Sequence, residues 1–473
     1  GTAAGQRRFL FASEMKALWA AGMPRQANNT ALLNYIALGQ TSPVHEPFHT
    51  FYKNIFQLPP AHYLRLRLQL PGNTDTYEWK ATRYWTINKN IQVSDSAETA
   101  TEQFRQLLTT SVERRLRSDV PVGTSLSGGL DSSSILALVH RLLPPGAPIN
   151  TFSAVFPGFE RDESAYIKTV VDRFHPNSFE VRPTADGFAR DLEQLLHYHE
   201  TPIGSASIYA QYKVFELAAQ QGVKVLLDGQ GADELLAGYS KYAHWFLQGL
   251  VAGNQYRLAA NEKKLLRQNG VAFNWGWKNY LAARLPGRVA RQLQQREIIK
   301  LNGAPLIHPG FIDQYRDSNS IYKPVITGLN DILHYNSLEN GLEELLRYAD
   351  RNSMAHGREV RLPFLSHELA EYVFSLPPTF KIRQGWTKWL LRNAMDSTLP
   401  ASIAWRKDKT GFEPPQQAWM AHAPVLGFIH EAKKKLVHEK ILTAEALQTP
   451  IQPLEAYAAD NFDWRYLVAA QLL

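Results

Sequence analysis

Val122-Gly123-Thr124-Ser125-Leu126, followed by Ser127-Gly128-Gly129-Leu130-Asp131-Ser132-Ser133, is the stretch on which the fold turns. Residues 122–126 read as an apolar strand. Ser132–Leu142 read as a helix. Between them, two glycines permit close backbone approach. The hydroxyls and free amides at the helix start are suited to cradle an anion. Asp131 stands where it would hold Mg²⁺ against that anion. The loop is not a Walker A loop, because the Gly-Lys-Ser/Thr ending is missing. A ligand-free glycine turn is the competing reading, and the strand–turn–helix setting argues against it.

Downstream the same alternation continues. Ile149–Val155 reads as a strand and Ser164–Phe174 as a helix, with Tyr166, Val170 and Phe174 spaced by four. Phe179–Val181 reads as a short strand, Tyr209–Gln220 as a helix and Val223–Leu227 as the last strand. Strand–helix alternation predicts a doubly wound α/β parallel sheet with ligands at the strand C-termini. After about residue 240 the chain reads as a helical C-terminal extension. Upstream, Phe9–Ala12 and Tyr63–Leu68 look like strands and Glu14–Ala20 like a helix. Pro71–Asp75 reads as a turn and residues 89–98 as a polar linker. Phe104, Leu107, Leu108, Val112 and Leu116 then mark a helix.

A second glycine-rich turn follows the last strand: Asp228-Gly229-Gln230-Gly231-Ala232-Asp233-Glu234. It falls on the same sheet edge as the first, so Asp131 and Asp233 are candidates to share a metal. An acidic helix start that merely offsets the helix dipole is the bland alternative.

The first loop matches the pyrophosphate-binding loop of the ATP pyrophosphatases. Taken together, the two loops resemble those of the asparagine synthetase (glutamine-hydrolysing) family. So do Asp350–His356, Glu359–Leu365, Thr387-Lys388-Trp389-Leu390-Leu391-Arg392 and Trp405–Phe412, in that order. Phe11–Leu18, Leu58-Pro59-Pro60 and Arg83-Tyr84-Trp85 resemble the tail of that family's glutaminase domain. The resemblance implies an adenine nucleotide alpha hydrolase-like sheet over residues 95–473. It implies an incomplete Ntn-type α+β glutaminase remnant, of the class II glutamine amidotransferase type, over residues 1–88.

It also implies the chemistry. ATP would activate the side-chain carboxylate of aspartate as an acyl-adenylate, and ammonia, from glutamine in an intact parent, would give asparagine, AMP and diphosphate. By the same resemblance Leu126, Ala154, Asp228 and Gly229 would contact adenosine. Ser127, Gly128, Gly129, Asp131 and Ser132 would hold the phosphates. Asp131 and Asp233 would carry Mg²⁺, and Lys409 would offset charge on the α-phosphate, with Lys407 as the alternative. The loop His199–Ser207 would lie near the acyl acceptor.

Gln230 departs from the pattern, standing where many members carry a carboxylate. A glutamine amide accepts no proton at neutral pH, which puts the acceptor or the proton relay in question. Relatives that close β-lactams also differ there. The alternatives are therefore an amidotransferase or cyclase with another acceptor, or a non-catalytic protein that binds nucleotides or polyanions. Asp162-Glu163 reads as a helix N-cap, and Glu359 with Arg361 as a buried ion pair.

Composition bounds these readings. The 473 residues, 44% hydrophobic and 20% charged, suit a globular enzyme and exclude disordered or collagen-like chains. There is no cysteine, so these residues offer neither a thiol nucleophile for glutamine nor a thiolate zinc site. The chain starts at Gly1 with no initiator Met and lacks the glutaminase nucleophile, so the expectation is a truncated sequence, or free ammonia as the nitrogen source. There is no signal-peptide pattern, and no apolar run is long enough to cross a membrane. A cytoplasmic enzyme acting on small molecules, a candidate homodimer, is the expectation. The net charge of +7 is concentrated between Arg257 and Lys300, where ten Lys/Arg face two Asp/Glu. No nucleic-acid motif accompanies it, so solvated basic helices are the expected reading.

Overall fold

The computed structural model describes residues 2–3, 6–7, 9–43, 48–67, 78–407 and 411–473. The expected turn at 71–75 and Lys409 lie outside them. Helix α1 (Ala97–Leu116) starts where the Ser96 hydroxyl accepts the Thr99 N–H at 3.1 Å, so the polar linker ends at residue 96. Strand β1 (Val122–Ser125) and helix α2 (Leu130–Leu142) follow, then β2 (Asn150–Ala154), α3 (Ser164–Phe174) and β3 (Asn177–Val181). Helices α4 (Ala185–His199) and α5 (Ser207–Gln220) lead to β4 (Val225–Leu227) and the short α6 (Ala232–Leu236). The sheet closes with β5 (Glu359–Arg361).

All five strands are parallel, in the order β3-β2-β1-β4-β5. Both faces are covered, as parallel sheets require. Val225 and Leu227 of β4 join the core under α2, while Leu226 between them packs with Phe152, Phe215 and Ala218 on the opposite face. The doubly wound α/β reading is therefore correct.

Three expectations change. Val223–Leu227 is not the last strand, because β5 adds a fifth at the edge, drawn from the region expected to be helical. Helix α4 was not anticipated; the Thr184 hydroxyl caps it and Phe188, Leu192 and Leu195 bury its inner face. Phe9–Ala12 adopts no regular structure. The strand expected at Tyr63–Leu68 is present as His62–Arg67, paired antiparallel with Glu78–Arg83.

A second core joins the two ends of the chain. Leu32, Leu33, Tyr35 and Ile36 of helix Asn29–Leu38 pack with Trp464, Tyr466 and Leu467 of helix Phe462–Ala469. Arg465 donates to the Ile36 and Ala37 carbonyls, both at 3.2 Å, at the carbonyl end of the earlier helix. Glu200, in the left-handed region at the end of α4, accepts the Met15 and Lys16 N–H groups at 3.0 and 2.6 Å. It thereby caps helix Met15–Ala20 from across the chain.

Candidate active site

Strands β1 and β4 are neighbours, and the chain leaves β1 in one direction and returns at β4 on the other side. A crevice opens beyond the strand ends at such a switch. Both glycine-rich loops lie there, and they touch. A Cβ on Gly229 would stand 3.0 Å from the Asp131 Cβ and 3.2 Å from the Ser132 nitrogen, so this glycine lets the second loop lie against the first. Gly128 has φ +71°, and a Cβ there would meet the Ile167 nitrogen of α3 at 2.6 Å. The turn is tied internally, since the Ser127 N–H donates to the Ser132 hydroxyl at 3.2 Å and the Gly129 N–H to the Ser127 hydroxyl at 3.3 Å. Leu126 donates its N–H to the Phe152 carbonyl at 2.9 Å, so Leu126 and Ala154 end adjacent strands.

The centre of the crevice is a residue to which the sequence reading gave no role. Lys388 Nζ lies 2.5 Å from Asp131 Oδ2 and 2.6 Å from Asp233 Oδ1. The lysine is only 4% exposed. Burial alone would lower its pKa, but the two carboxylates outweigh burial and raise it, so it stays an ammonium. Its backbone is left-handed at φ +51°, immediately after the hairpin Ile382–Arg383/Trp386–Thr387, and its N–H donates to the Leu236 carbonyl at 3.1 Å. Helix Tyr256–Gln268 grips the hairpin tip, because the buried Glu262 accepts the Gln384 and Gly385 N–H groups at 2.9 and 2.8 Å. No side chain fits at Gly238, where a Cβ would fall 1.7 Å from Asp233 Oδ1 and 2.2 Å from Lys388 Cε.

Around this triad the environment separates the charges. Burial pushes the Arg392 guanidinium down to about 10, Asp131 partly opposing it, so the group remains cationic at neutral pH. It donates to the Thr387 and Ala404 carbonyls at 2.9 and 2.6 Å. Burial raises the Asp228 carboxyl against the lowering effect of the Gly229 and Gln230 N–H groups and the Gln211 amide. Burial and the neighbouring Asp233 raise Glu234, which accepts the Tyr239 hydroxyl at 2.7 Å. Gln230 lies in the same turn; its Oε1 is buried with no hydrogen-bond partner among the described residues.

The expected site residues thus divide. Leu126, Ser127, Gly128, Gly129, Asp131, Ser132, Asp228, Gly229, Gln230 and Asp233 lie at the C-terminal ends of β1 and β4, and Ala154 at the end of the neighbouring β2. Lys409 is outside the described residues. Lys407, its alternative, has its carbonyl near Gly270 of the basic region. Lys388 and Arg392 were missed, although both stand in a quoted block. The available signal was a lysine and an arginine inside an otherwise apolar run.

Glu163 is the N-cap residue of α3, as expected, but its side chain makes no capping bond; it pairs with Arg406 at 2.8 Å, while Asp162 accepts the Phe156 N–H at 2.8 Å. The reading of Glu359 and Arg361 is corrected. Arg361 does pair with Glu359 at 2.7 Å, but Glu359 is exposed, and Arg361 also donates to the Arg115 and Arg117 carbonyls. At the edge of a sheet the pair has water on one side, so it is not buried.

The convergence of two carboxylate oxygens on one cationic centre suits a hard dication. Among the described residues no cluster of three metal-ligating side chains exists, so phosphate oxygens and water would complete the shell, as Mg²⁺ sites commonly require. Further out, the buried His199 is pushed down to about 3, mainly by burial, and its Nε2 sits 2.9 Å from the Asn352 Oδ1. The Asn352 amide donates to Gln211 Oε1 at 3.0 Å, which links this loop to Asp228. No helix among the described residues is long and apolar enough to cross a membrane.

Known proteins resemble this chain over most of its length. Residues 103–471 match the family model described as Asparagine synthase, and residues 2–85 the one described as Glutamine amidotransferase domain. Asparagine synthetase [glutamine-hydrolyzing] 1 of Bacillus subtilis is 27% identical over 469 residues, covering 96% of this chain and 69% of that relative. A putative asparagine synthetase 2 of Methanocaldococcus jannaschii is 33% identical over 241 residues, 50% of this chain and 44% of that relative. Amidase chry2 of Gibberella zeae is 24% identical over 418 residues, 78% of this chain and 60% of that relative. The chain therefore spans between 44% and 69% of the length of these relatives. The first match covers more than half of the chain and includes both glycine-rich loops and Lys388, and on that ground the chain belongs to the asparagine synthase family.

Proposed function

We propose that this chain carries out the ATP-dependent, amide-forming half of such a reaction, with the aspartate side chain as the acceptor. The observation that carries the reading is the Asp131–Lys388–Asp233 triad at the β1–β4 edge. A carboxylate is a poor electrophile. In the proposed reaction its oxygen attacks the α-phosphorus of ATP, the bond to the β-phosphate oxygen breaks and diphosphate leaves. Ammonia then attacks the acyl carbon, a proton departs, and AMP leaves with the amide formed.

The residues divide this work by position. Ser127, Gly128, Gly129 and Ser132 offer hydroxyls and backbone amides to the departing diphosphate. Leu126, Ala154, Asp228 and Gly229 would border the adenosine. Asp131 and Asp233 would hold Mg²⁺, which supplies charge neutralisation when bound. Lys388 keeps one positive charge fixed beside them, and Lys409 is the proposed counter-charge for the α-phosphate. Catalysis of this kind is chiefly positioning and charge compensation.

Gln230 favours a second reading, in which the adenylation is retained and the acceptor differs. Its buried Oε1 makes no hydrogen bond among the described residues, and it cannot act as a base. A substrate amide or amine N–H would satisfy it. Diphosphate release with aspartate, with ammonium or glutamine as nitrogen source, tests both readings. Aspartate-dependent release with asparagine formed from ammonium supports the first. Nucleotide binding without aspartate-dependent release removes it and leaves the second.

A further inference from the structure

Helices Tyr256–Gln268, Trp277–Arg284 and Pro286–Asn302 carry a basic face outside the two glycine-rich loops, although the first also holds the hairpin tip before Lys388 through Glu262. The charge of this face is more one-sided than the sequence suggests. Of its two carboxylates, Glu262 points inward to the Gln384 and Gly385 amides, and Glu297 lies 3.7 Å from Lys323, a cation outside the segment. Of the ten cations between Arg257 and Lys300, Lys300 alone makes an ion pair among the described residues, with Asp460 at 2.8 Å. The remaining nine make no ion pair with a carboxylate among the described residues; Lys263 is half-buried, and Arg284 is bonded to Asn254 and Tyr256.

Apolar side chains are exposed among these cations. Trp277 is 69% exposed, Leu281 49% and Ile299 70%, with Tyr256, Tyr280 and Leu285 also open. Trp277 and Leu281, four residues apart, fall on one side of the second helix, and Leu285 follows at its C-cap. The Arg284 guanidinium donates to the Tyr256 hydroxyl at 2.5 Å and to Asn254 Oδ1 at 2.6 Å, which brings the start of the first helix against the second. Exposed tryptophan and leucine set among unpaired lysine and arginine is the composition of a surface that lies in a membrane interface.

We propose that this face binds an anionic lipid surface. The cations meet headgroup phosphates, and Trp277, Leu281 and Leu285 enter the boundary between headgroups and acyl chains. A nucleic acid would use the cations and stack on Trp277 and Tyr280, but it gives no role to Leu281, Leu285 and Ile299. The proposal is independent of the reaction assigned above, since neither glycine-rich loop nor Lys388 lies on this face.

Vesicle flotation tests it, with the chain mixed with phosphatidylcholine vesicles that contain or lack phosphatidylglycerol. The expected result is flotation with the anionic vesicles only, lost as salt is raised. Lys278→Ala with Arg288→Ala weakens partitioning about 30-fold, at roughly one factor of five per cation. Trp277→Ser with Leu281→Ser weakens it as well but leaves the salt dependence unchanged. All four side chains are on the surface, and an unchanged circular dichroism spectrum and melting temperature check that the variants are folded. The proposal is overturned if the unsubstituted chain fails to float at low salt. It is equally overturned if Trp277→Ser with Leu281→Ser floats as well as the unsubstituted chain, or if single-stranded RNA binds this face while anionic vesicles do not.

Discussion

The two sides of the crevice are built in opposite ways. Its acidic side comes from regular strand–turn–helix units, with Asp131 opening α2 and Asp233 opening α6, both within the contiguous stretch 122–236. Its cationic side comes from Lys388, a residue in the left-handed region after a two-residue-stranded hairpin far along the chain. The acidic side is therefore set by local geometry, whereas the cation arrives only if the C-terminal shell docks. Closing the site depends on tertiary packing, and each side can be broken separately.

The largest effect is expected on the acidic side. Asp233→Asn or Asp131→Asn keeps the shape but removes one of the two charges proposed to hold the metal and diphosphate. Diphosphate release should fall by about 10²–10³-fold, measured in a coupled assay at saturating ATP. A smaller loss would mean that the carboxylates serve Lys388 alone.

Removing the cation acts on folding as much as on chemistry. Lys388→Met removes the ammonium that lies against both carboxylates. Breaking a buried pair typically costs about 3–5 kcal/mol, and the partial exposure of both carboxylates favours the lower figure. The change should appear as a lower denaturation midpoint, partly restored when Asp233→Asn is added. If Lys388→Met melts like the unsubstituted chain, the triad does not bind the shell to the sheet.

A third prediction sets the interior behind the site against its edge through pH. The folded-state pKa of His199 is depressed to about 3 by burial, below its ordinary value near 6.5. Its contribution is therefore complete above pH 6.5 and is lost as pH falls from 6.5 toward 3, because the unfolded chain takes up the proton first. The loss amounts to roughly 2 kcal/mol by pH 5, at about 1.4 kcal/mol per unit. Urea titrations at pH 7 and pH 5 should reveal it, and His199→Gln should flatten the difference. The smallest effect belongs to the sheet edge, where Glu359→Ala breaks an exposed pair and should change stability by under about 0.5 kcal/mol.

The same contrast explains what could be read from the sequence. The loops at 127–133 and 228–234 were legible because apolar strand, glycine turn and helix start are consecutive in the chain. Strand β5 was not, because its three residues include two charged ones and gain strand character only by lying beside β4. Helix α4 carried its signal in Phe188, Leu192 and Leu195 and was overlooked among the short strand–helix units. Lys388 was visible as a residue and not as a partner, since nothing local indicates that the chain folds it 2.5 Å from Asp131. The left-handed hairpin exit and the space left by Gly238 belong to tertiary structure.

The central claim is that the triad-bearing edge cleaves ATP between its α- and β-phosphates. Phosphorus NMR of the chain turning over Mg-ATP with a carboxylate acceptor and ammonium tests it most directly. The account predicts AMP and diphosphate in equal amounts, with both abolished in Asp131→Asn. ADP with inorganic phosphate, or AMP formation that survives Asp131→Asn, would contradict it.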